Sequence, residues 1–201
     1  MELKRVVVTG LGALTPVGNN VAETWENLVN GVSGAGPITH FDASKFKTQF
    51  ACEVKNFNPN EHFDRKEVRK MDLYTQYAIV AAKEAIEDSA MDLEKVDKNK
   101  IGVIFGVGIG GIRTFEEEMI AYAGIKDTIG PKFNPFFIPK MIADIASGHI
   151  SIMYGFHGPN FTTTSACASS SNAIADAFNY IRLGKANVIV AGGAEAAISP
   201  G

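Results

Sequence analysis

An α/β fold with a mostly parallel or mixed sheet is predicted from two features of this 201-residue sequence. Short apolar runs at residues 6–8, 101–105 and 188–190 have the length and composition of buried strands. Segments in which apolar residues are spaced as on a helix separate these runs along the chain. Strands that alternate with helices are typical of α/β proteins, in which helices cover a largely parallel sheet.

The first half of the chain combines loop-rich sequence with one long helical pattern. Apolar residues at Leu73, Tyr77 and Val80 give that pattern an amphipathic face. Gly31 ends an earlier short helix, because glycine favours helix termination. The predicted elements are, in order, a strand at 6–8, a helix from 21 to 31, a loop-rich region at 32–62 with a short strand at 50–54, and a helix at 72–88.

The second half alternates strands and helices more regularly. Its predicted elements are a strand at 101–105, a helix at 114–123, a loop at 125–139, a helix at 140–154, a strand at 161–164, a helix at 168–183 and a strand at 188–190. Pro139 is expected near the start of its helix, where proline is favoured. The chain stops soon after the last strand without a closing helix, which suggests a piece of a longer fold.

The composition is that of an ordinary globular domain, with 46% hydrophobic and 20% charged residues. A formal net charge of −3 gives no indication of a nucleic-acid partner. Two cysteines are too few for a disulfide framework and suit a reducing compartment. The N-terminus lacks a signal-peptide pattern, and no run approaches the ~18 apolar residues of a membrane span. We therefore expect a cytoplasmic protein that binds neither nucleic acid nor membranes.

Cys167 is the candidate catalytic residue. It lies between the predicted strand at 161–164 and the predicted helix at 168–183. Unpaired N–H groups at a helix N-terminus favour an anion, so a thiol there is biased toward the nucleophilic thiolate. Small neighbours, alanines and serines, leave the sulfur accessible. The alternative is a buried, inert cysteine, which is the interpretation we prefer for Cys52 in its alternating strand pattern.

A glycine run follows the strand at 101–105. Gly106, Gly108 and Gly111 satisfy G-x-G-x-x-G, the pattern of dinucleotide-binding turns. The acidic residue expected about 20 residues further on, at the end of the next strand, has no counterpart here. The favoured interpretation is that these glycines let the backbone approach another surface or a ligand, with nucleotide binding as the alternative.

A basic cluster precedes the long helix. Acidic residues are interleaved with it, so it could be a plain solvated surface or a docking patch for an acidic partner. Its members are Arg65, Lys66, Arg69 and Lys70.

The histidines lie in no motif that marks a catalytic base, and His149 is expected to pack against other residues or to cap a helix. No cysteine and histidine spacing indicates a metal site, and no cofactor is expected.

Several segments together resemble one family. They are Arg-Val-Val-Val-Thr-Gly-Leu-Gly-Ala-Leu-Thr-Pro-Val-Gly at 5–18, Arg-Lys-Met-Asp-Leu-Tyr-Thr-Gln-Tyr-Ala at 69–78, Gly-Val-Gly-Ile-Gly-Gly at 106–111, Asn-Pro-Phe-Phe-Ile-Pro at 134–139, Gly-Pro-Asn at 158–160, Ser-Ala-Cys-Ala-Ser-Ser at 165–170 and Val-Ala-Gly-Gly-Ala-Glu at 190–195. In this order they resemble the elongating β-ketoacyl-acyl-carrier-protein synthases, in particular the synthase II type. The resemblance runs along the whole chain.

The resemblance implies a thiolase-like fold, layered α/β/α/β/α and built from two similar halves. Residues 1–201 correspond to the N-terminal half alone, which implies a mixed sheet flanked by helices. The implied reaction is a decarboxylative Claisen condensation. An acyl group moves from acyl carrier protein to the cysteine, malonyl-carrier protein loses carbon dioxide, and the resulting carbanion attacks the thioester to give a 3-oxoacyl-carrier protein.

The resemblance also assigns roles to residues. Cys167 matches the nucleophile, and its backbone N–H would donate to the oxyanion. Ile109 matches a residue that lines the acyl pocket, and Phe137 matches one that reaches the partner subunit's pocket in a homodimer. Ser165 stands where the family usually has threonine and keeps the hydroxyl. The residues that match the docking patch for the acidic carrier protein are Lys66, Arg69 and Lys70.

The family's two catalytic histidines and its conserved lysine belong to the C-terminal half, and no segment of this sequence matches them. We therefore expect the 201-residue chain alone to be inactive in condensation. Alternatives remain open: a thiolase or initiating synthase of the same superfamily, a non-catalytic partner subunit like a chain-length factor, or a fragment that binds acyl groups or carrier protein without condensing them. The presence of Cys167 argues against the partner subunit.

Overall fold

The computed structural model of the protein describes residues 3–126, 130 and 132–201. The helices are α1 Val21–Val29, α2 Arg65–Val68, α3 Leu73–Asp88, α4 Ile112–Ile125, α5 Phe137–Met141, α6 Ile145–Tyr154 and α7 Ser169–Arg182. The strands are β1 Gly36–Pro37, β2 Phe50–Ala51, β3 Ile101–Gly106, β4 Asn160–Thr163 and β5 Val188–Gly193. No helix of the described residues is both long and apolar enough to cross a bilayer.

The main sheet has three parallel strands in the order β4-β3-β5. Val103 in the central strand faces Asn160 on one side and Val190 on the other. The short strands β1 and β2 pair antiparallel in a separate sheet. The expected α/β class is confirmed, but the expected mixed sheet is found as two sheets, because β1 and β2 pair with each other instead of joining the parallel strands.

Helices cover both faces of the main sheet, and the side chains of β3 alternate between them. Val103 and Phe105 pack in the core formed with α3 and α6. Ile104 points to the opposite face, where it meets Ala173 and Ala177 of α7. Every residue of β3 is buried, as expected for a central parallel strand with helices above and below. The sheet and α7 therefore form the rigid frame on which the cysteine turn is built.

The expected buried strand at residues 6–8 is wrong. Val7 and Val8 are 65% and 79% exposed and belong to no strand. Both sides of β3 are already paired, to β4 and β5. The residues that follow are held on α3 instead, where the backbone N–H of Leu11 donates to Asp88 at 2.8 Å. A Cβ on Gly10 would come within 2.1 Å of the carbonyl oxygen of Ala85, so glycine permits this close contact.

The expected helix at 140–154 is also wrong as a single element. It is divided into α5 and α6 at Ile142, whose ψ of 138° is extended. The buried Tyr74 hydroxyl donates to the carbonyl of Ile142 at 2.5 Å, which gives the interrupted backbone a partner. Phe137, expected in a loop, begins α5. Of the loop expected at 125–139, residues 127–129 and 131 lie outside the described residues.

Other expected elements are confirmed with small changes at their ends. The helices near 21 and at 72–88, 114–123 and 168–183 appear as α1, α3, α4 and α7, and the strands at 101–105, 161–164 and 188–190 appear as β3, β4 and β5. The strand expected at 50–54 is shortened to β2.

Buried Asp72 caps α3 by accepting from the N–H of Tyr74, and its second oxygen accepts from the Thr114 hydroxyl at 2.6 Å. Asp72 thereby fixes the start of α4, just after the glycine run.

Candidate active site at the cysteine turn

Cys167 lies at the carboxyl edge of the parallel sheet. The chain leaves β4, makes one 3-10 turn at Ala166–Ala168 and then enters α7. The cysteine is exposed at this turn. The predicted strand-to-helix junction is confirmed, although α7 begins two residues after the cysteine. The carboxyl ends of parallel strands are the usual place for ligands in open α/β sheets, which makes this turn the candidate site.

The residue before the cysteine has a strained backbone. Ala166 has φ of 51°, in the left-handed region that favours glycine. A residue with a Cβ costs about 1–2 kcal/mol there. Such strain clusters at active sites, and a sharp strand-to-helix turn of this kind is how hydrolases expose a nucleophile. No glycine marks the position, so the sequence carries no local signal for the strain.

The side chain of Ser169 holds the cysteine turn closed. It is 3% exposed, accepts a 2.9 Å hydrogen bond from the N–H of Ser165 and donates one of 2.7 Å to the carbonyl of Ala166. The hydroxyl of Thr163 donates to the carbonyl of Ser169 at 2.9 Å. The Asn172 amide donates to the hydroxyl of Ser165. No sequence pattern indicates this role, because the hydroxyl of Ser169 bonds the turn that precedes the helix and does not cap α7.

Two strand-end glycines let the first turn of α7 lie directly on the sheet. A Cβ on Gly106 would come within 2.1 Å of the carbonyl carbon of Ser169. A Cβ on Gly193 would come within 2.0 Å of the Ser170 hydroxyl. Real Cβ atoms do not approach this closely, so both positions require glycine. The preferred interpretation of the glycine run, close approach of backbones, is confirmed for Gly106.

The rest of the glycine run forms a loop that binds a carboxylate of the same chain. The N–H groups of Gly108, Ile109 and Gly110 donate to Glu195 at 2.7, 2.9 and 3.2 Å. Successive N–H groups that converge in this way form an anion-binding nest. Glu195 fills it, so the structure gives the nucleotide alternative no free phosphate site in this loop. A Cβ on Gly108 would lie 3.9 Å from the carbonyl oxygen of Ala166, which places the loop beside the cysteine turn.

The structure brings only some of the predicted site residues to this turn. Ile109 is in the adjoining loop, and its side chain is 55% exposed. Phe137 lies in a different place, stacked on Phe133 at 5.4 Å and Phe115 at 6.4 Å between ring centroids. Its predicted contact with a partner subunit stays a prediction.

The basic residues lie on and just after α2. Lys66 and Arg69 are exposed, and Lys70 forms a 2.6 Å ion pair with Glu67. His149 of α6 faces the same pair of charges. Burial lowers the pKa of His149, the charge of Glu67 opposes this shift and the charge of Lys70 adds to it. His149 is thus a partly buried packing residue, as expected.

Cys52 is exposed and does not pack as a strand residue, so that expectation is wrong: β2 ends at Ala51, before it. It lines a cavity of about 590 Å3 between the N-terminal segment, α3 and residues 193–198. Burial raises the pKa of Tyr77 on the wall of this cavity to about 12. Cys167 is not among the lining residues, whereas Glu195 is. The cavity is therefore separate from the cysteine turn.

The fold and the turn define a class of protein: α/β proteins that present a thiol on a strained strand-to-helix turn. Within that class, the chain belongs to the β-ketoacyl synthase family, because residues 3–201 match the model of the β-ketoacyl synthase N-terminal domain. It is 46% identical over 98% of its length to 3-oxoacyl-acyl-carrier-protein synthase 2 of Staphylococcus aureus, and 44% identical over its whole length to the enzyme of the same name from Synechocystis.

Solved structures agree with the family. A type II PKS acyl-carrier protein in complex with its ketosynthase matches with a TM-score of 0.83, at 27% identity, over 98% of this chain and 53% of that one. The ishigamide ketosynthase/chain length factor matches with a TM-score of 0.82, at 30% identity, over 96% of this chain and 48% of that one. The chain spans 47% of the length of the Staphylococcus aureus and Synechocystis relatives. The predicted resemblance to the N-terminal half of synthase II and the thiolase-like fold class are confirmed.

Proposed function

We propose that the chain carries the acyl-accepting cysteine of a condensing acyltransferase that elongates fatty acids. The observation that carries this proposal is the exposed thiol of Cys167 on a strained turn closed by Ser169. A nucleophile must be both accessible and held in one orientation, and the turn provides both. Similarity to enzymes named 3-oxoacyl-acyl-carrier-protein synthase 2 supports the choice of reaction.

In the first step, the thiolate of Cys167 attacks the carbonyl carbon of an acyl thioester on acyl carrier protein. The carrier's thiolate leaves and takes up a proton, and the acyl group is now a thioester of Cys167. In this proposal the backbone N–H of Cys167 donates to the oxyanion that forms during this attack. Ile109, in the loop beside the turn, lines the path of the acyl chain.

In the second step, malonyl-carrier protein loses carbon dioxide, and its carbanion attacks the Cys167 thioester. The carbon–sulfur bond breaks, the cysteine thiolate is released, and the product is a 3-oxoacyl-carrier protein two carbons longer. Decarboxylation needs groups that stabilise the carbanion, which the family supplies from its C-terminal half. We propose that these 201 residues alone accept the acyl group and do not condense it.

The carrier protein docks, in this proposal, on the exposed Lys66 and Arg69 and on Lys70, which is half-buried beside Glu67. Acidic partners are attracted to such a patch over a distance of several ångströms, and salt weakens the attraction. The similarity to a ketosynthase that was solved in complex with an acyl-carrier protein supports this partner. A thiol nucleophile also suits a reducing compartment, so we place the protein in the cytoplasm.

A homodimer is the proposed assembly. β4 is one of the two outer strands of the parallel sheet, and within the described part of the chain its strand partner is β3 alone. An unpaired strand edge can pair with the same edge of a second copy related by a two-fold axis. Phe137 would then reach the partner's acyl pocket. Sedimentation of the protein as a monomer at micromolar concentration would contradict this assembly.

The test of the proposed function compares two acyl donors. Lys66→Glu combined with Lys70→Glu should slow acyl transfer from acyl carrier protein at low salt, by about tenfold for two reversed charges near the docking surface. Transfer from a small acyl thioester, which needs no docking patch, should stay unchanged. Lys45→Glu combined with Lys47→Glu is the matched control, since both lysines are exposed and the charge change is the same.

The outcomes separate the parts of the proposal. Equal rates from carrier protein in the two double variants would rule out the docking patch. Failure of both donors to acylate the wild-type chain would rule out the acyl-accepting role itself. Formation of 3-oxoacyl product by these 201 residues alone would overturn the claim that they cannot condense.

A further inference from the structure

We propose that Glu195 is a positioning residue: it holds the loop of residues 108–110 against the cysteine turn, in the orientation that lets Ile109 line the acyl path. The inference rests on the proposed function. Glu195 lies two residues beyond β5, whereas the loop follows β3, so the contact joins segments that are far apart in the chain. The N–H of Ala194 donates to the carbonyl of Gly106 at 3.2 Å and keeps the two segments side by side.

Both oxygens of the Glu195 carboxylate are used. One oxygen accepts from Gly108 at 2.7 Å and from Ile109 at 2.9 Å, and the other accepts from Gly110 at 3.2 Å. Hydrogen bonds to an ionised carboxylate are roughly twice as strong as neutral ones. A carboxylate has only acceptors, so it can satisfy three converging N–H groups without a mismatch.

Other contacts hold the two ends of the loop: the N–H of Val107 donates to the carbonyl of Thr163 at 3.1 Å, and the N–H of Gly111 donates to the carbonyl of Met141 at 3.0 Å. The side chain of Ile109 is 55% exposed, and Gly110 has φ of +81°, a conformation that few residues other than glycine adopt. A Cβ on Gly108 would lie 2.6 Å from the Glu195 carboxylate and 3.9 Å from the carbonyl oxygen of Ala166. Between the two held ends, the Glu195 carboxylate binds three successive N–H groups, including that of Ile109, and so orients the part of the loop that lies beside the cysteine turn.

The chemistry of this contact predicts a graded response. In Glu195→Gln, the amide NH2 turns one acceptor into a donor, which then faces an N–H group of the loop. In Glu195→Asp, the charge and both acceptors remain, but the side chain is one methylene shorter. We expect Gln to release the loop and Asp to retain part of its order. Binding of a long acyl chain should weaken, while the sulfur of Cys167 stays reactive toward small reagents.

Hydrogen exchange tests the contact without any reference to acylation. The exchange of the amides of residues 108–110 should be about tenfold faster in Glu195→Gln than in wild type, and intermediate in Glu195→Asp. Glu94→Gln, a neutralised exposed carboxylate elsewhere, is the control and should change nothing at these amides. Unchanged exchange in Glu195→Gln would overturn the proposal.

Acylation kinetics test the positioning role. In Glu195→Gln the concentration of long-chain acyl thioester that gives half-maximal acylation of Cys167 should rise about tenfold, while alkylation by iodoacetamide stays within about twofold of wild type. Equal losses with both reagents would mean a collapsed cysteine turn and would overturn the proposal, as would an unchanged half-maximal concentration. If wild type itself takes no acyl group, the proposed function fails, and the exchange result still decides whether Glu195 holds the loop.

Discussion

The hydroxyl of Ser169 donates a 2.7 Å hydrogen bond to the carbonyl of Ala166 and so spans the residue that carries the thiol, Cys167. The same oxygen accepts from the N–H of Ser165, on the other side of the turn. One buried side chain therefore satisfies the N–H of Ser165 and adds a second hydrogen bond to the carbonyl of Ala166, which also accepts from the backbone N–H of Ser169. The backbone on both sides of the nucleophile is therefore held by this serine.

Removing that hydroxyl should loosen the turn. Ser169→Ala leaves the N–H of Ser165 without its partner, while the carbonyl of Ala166 keeps the backbone N–H of residue 169, so we expect a loss of about 1–2 kcal/mol in the free energy of unfolding. Acylation of Cys167 should slow as well. Denaturant unfolding and acylation rates measure both effects. Ser171→Ala, an exposed serine two residues further on, is the control, and an equal effect there would refute the assignment.

Gly106 should not tolerate a side chain. Gly106→Ala would place its Cβ within 2.1 Å of the Ser169 backbone, and the overpacking should cost about 1–3 kcal/mol or more. Gly148→Ala is the matched control in α6, where the nearest atom outside the local backbone is 3.9 Å away. That variant should gain about 0.5–1 kcal/mol, because alanine is the better helix former. Thermal unfolding of both variants measures the contrast, and similar shifts would contradict it.

Glu53 should stabilise the protein in a pH-dependent way. Burial opposes its ionisation, but hydrogen bonds from Thr39 and His40 outweigh burial and hold the pKa of Glu53 below the ordinary value of 4.5. A carboxyl whose pKa is lowered by folding adds stability above its unfolded pKa, and this contribution is lost as the pH falls through the folded pKa.

Glu53→Gln should therefore lower the free energy of unfolding by about 1–3 kcal/mol at neutral pH, since hydrogen bonds to a charged group are lost. The difference from wild type should shrink as the pH falls below about 4.5. Denaturant titrations at several pH values measure it, with exposed Glu26→Gln as the control. If the difference in the free energy of unfolding between wild type and Glu53→Gln grew toward acid pH, the lowered pKa of Glu53 could not explain it.

Lys70 should influence the titration of His149. The positive charge of Lys70 lowers the pKa of His149, and Glu67 acts in the opposite direction. Lys70→Gln removes the first effect and frees Glu67 from its ion pair, so the pKa of His149 should rise. An NMR titration of the imidazole checks this, and Lys66→Gln serves as the comparison. A fall in the pKa of His149 in Lys70→Gln would contradict the assigned effect of the Lys70 charge.

Local patterns predicted the elements that carry the site. Apolar runs located β3 and β5, and helical spacing located α7 and thus the junction that holds Cys167. The apolar run at 6–8 was wrongly predicted to be a strand. A short apolar run does not show whether a neighbouring strand has a free edge with which it can pair. The break at Ile142 was missed because no glycine or proline interrupts the helix there, and its partner, Tyr74, is distant in sequence. The one local signal was Asp144 at the N-cap of α6, a residue type that favours helix starts.

The fine structure of the site depends on contacts between distant segments. Glu195 binds the N–H of Ile109 across 86 residues, and no spacing rule links them. Ala166 has a left-handed conformation that alanine does not favour, and the buried hydroxyl of Ser169 binds its carbonyl. The residue types in the sequence indicated a reactive cysteine at a strand-to-helix junction. The contacts that orient its thiol could not be predicted from the sequence.

The most direct test of the central claim is the site of acylation, read by peptide mass spectrometry after incubation with acyl carrier protein loaded with an acyl chain. Cys52 is a matched control within the same chain, because both cysteines are exposed. Wild type and Cys52→Ala should carry the acyl group on the peptide that contains Cys167, and Cys167→Ala should carry none. Equal acylation of Cys167→Ala and wild type would contradict the account.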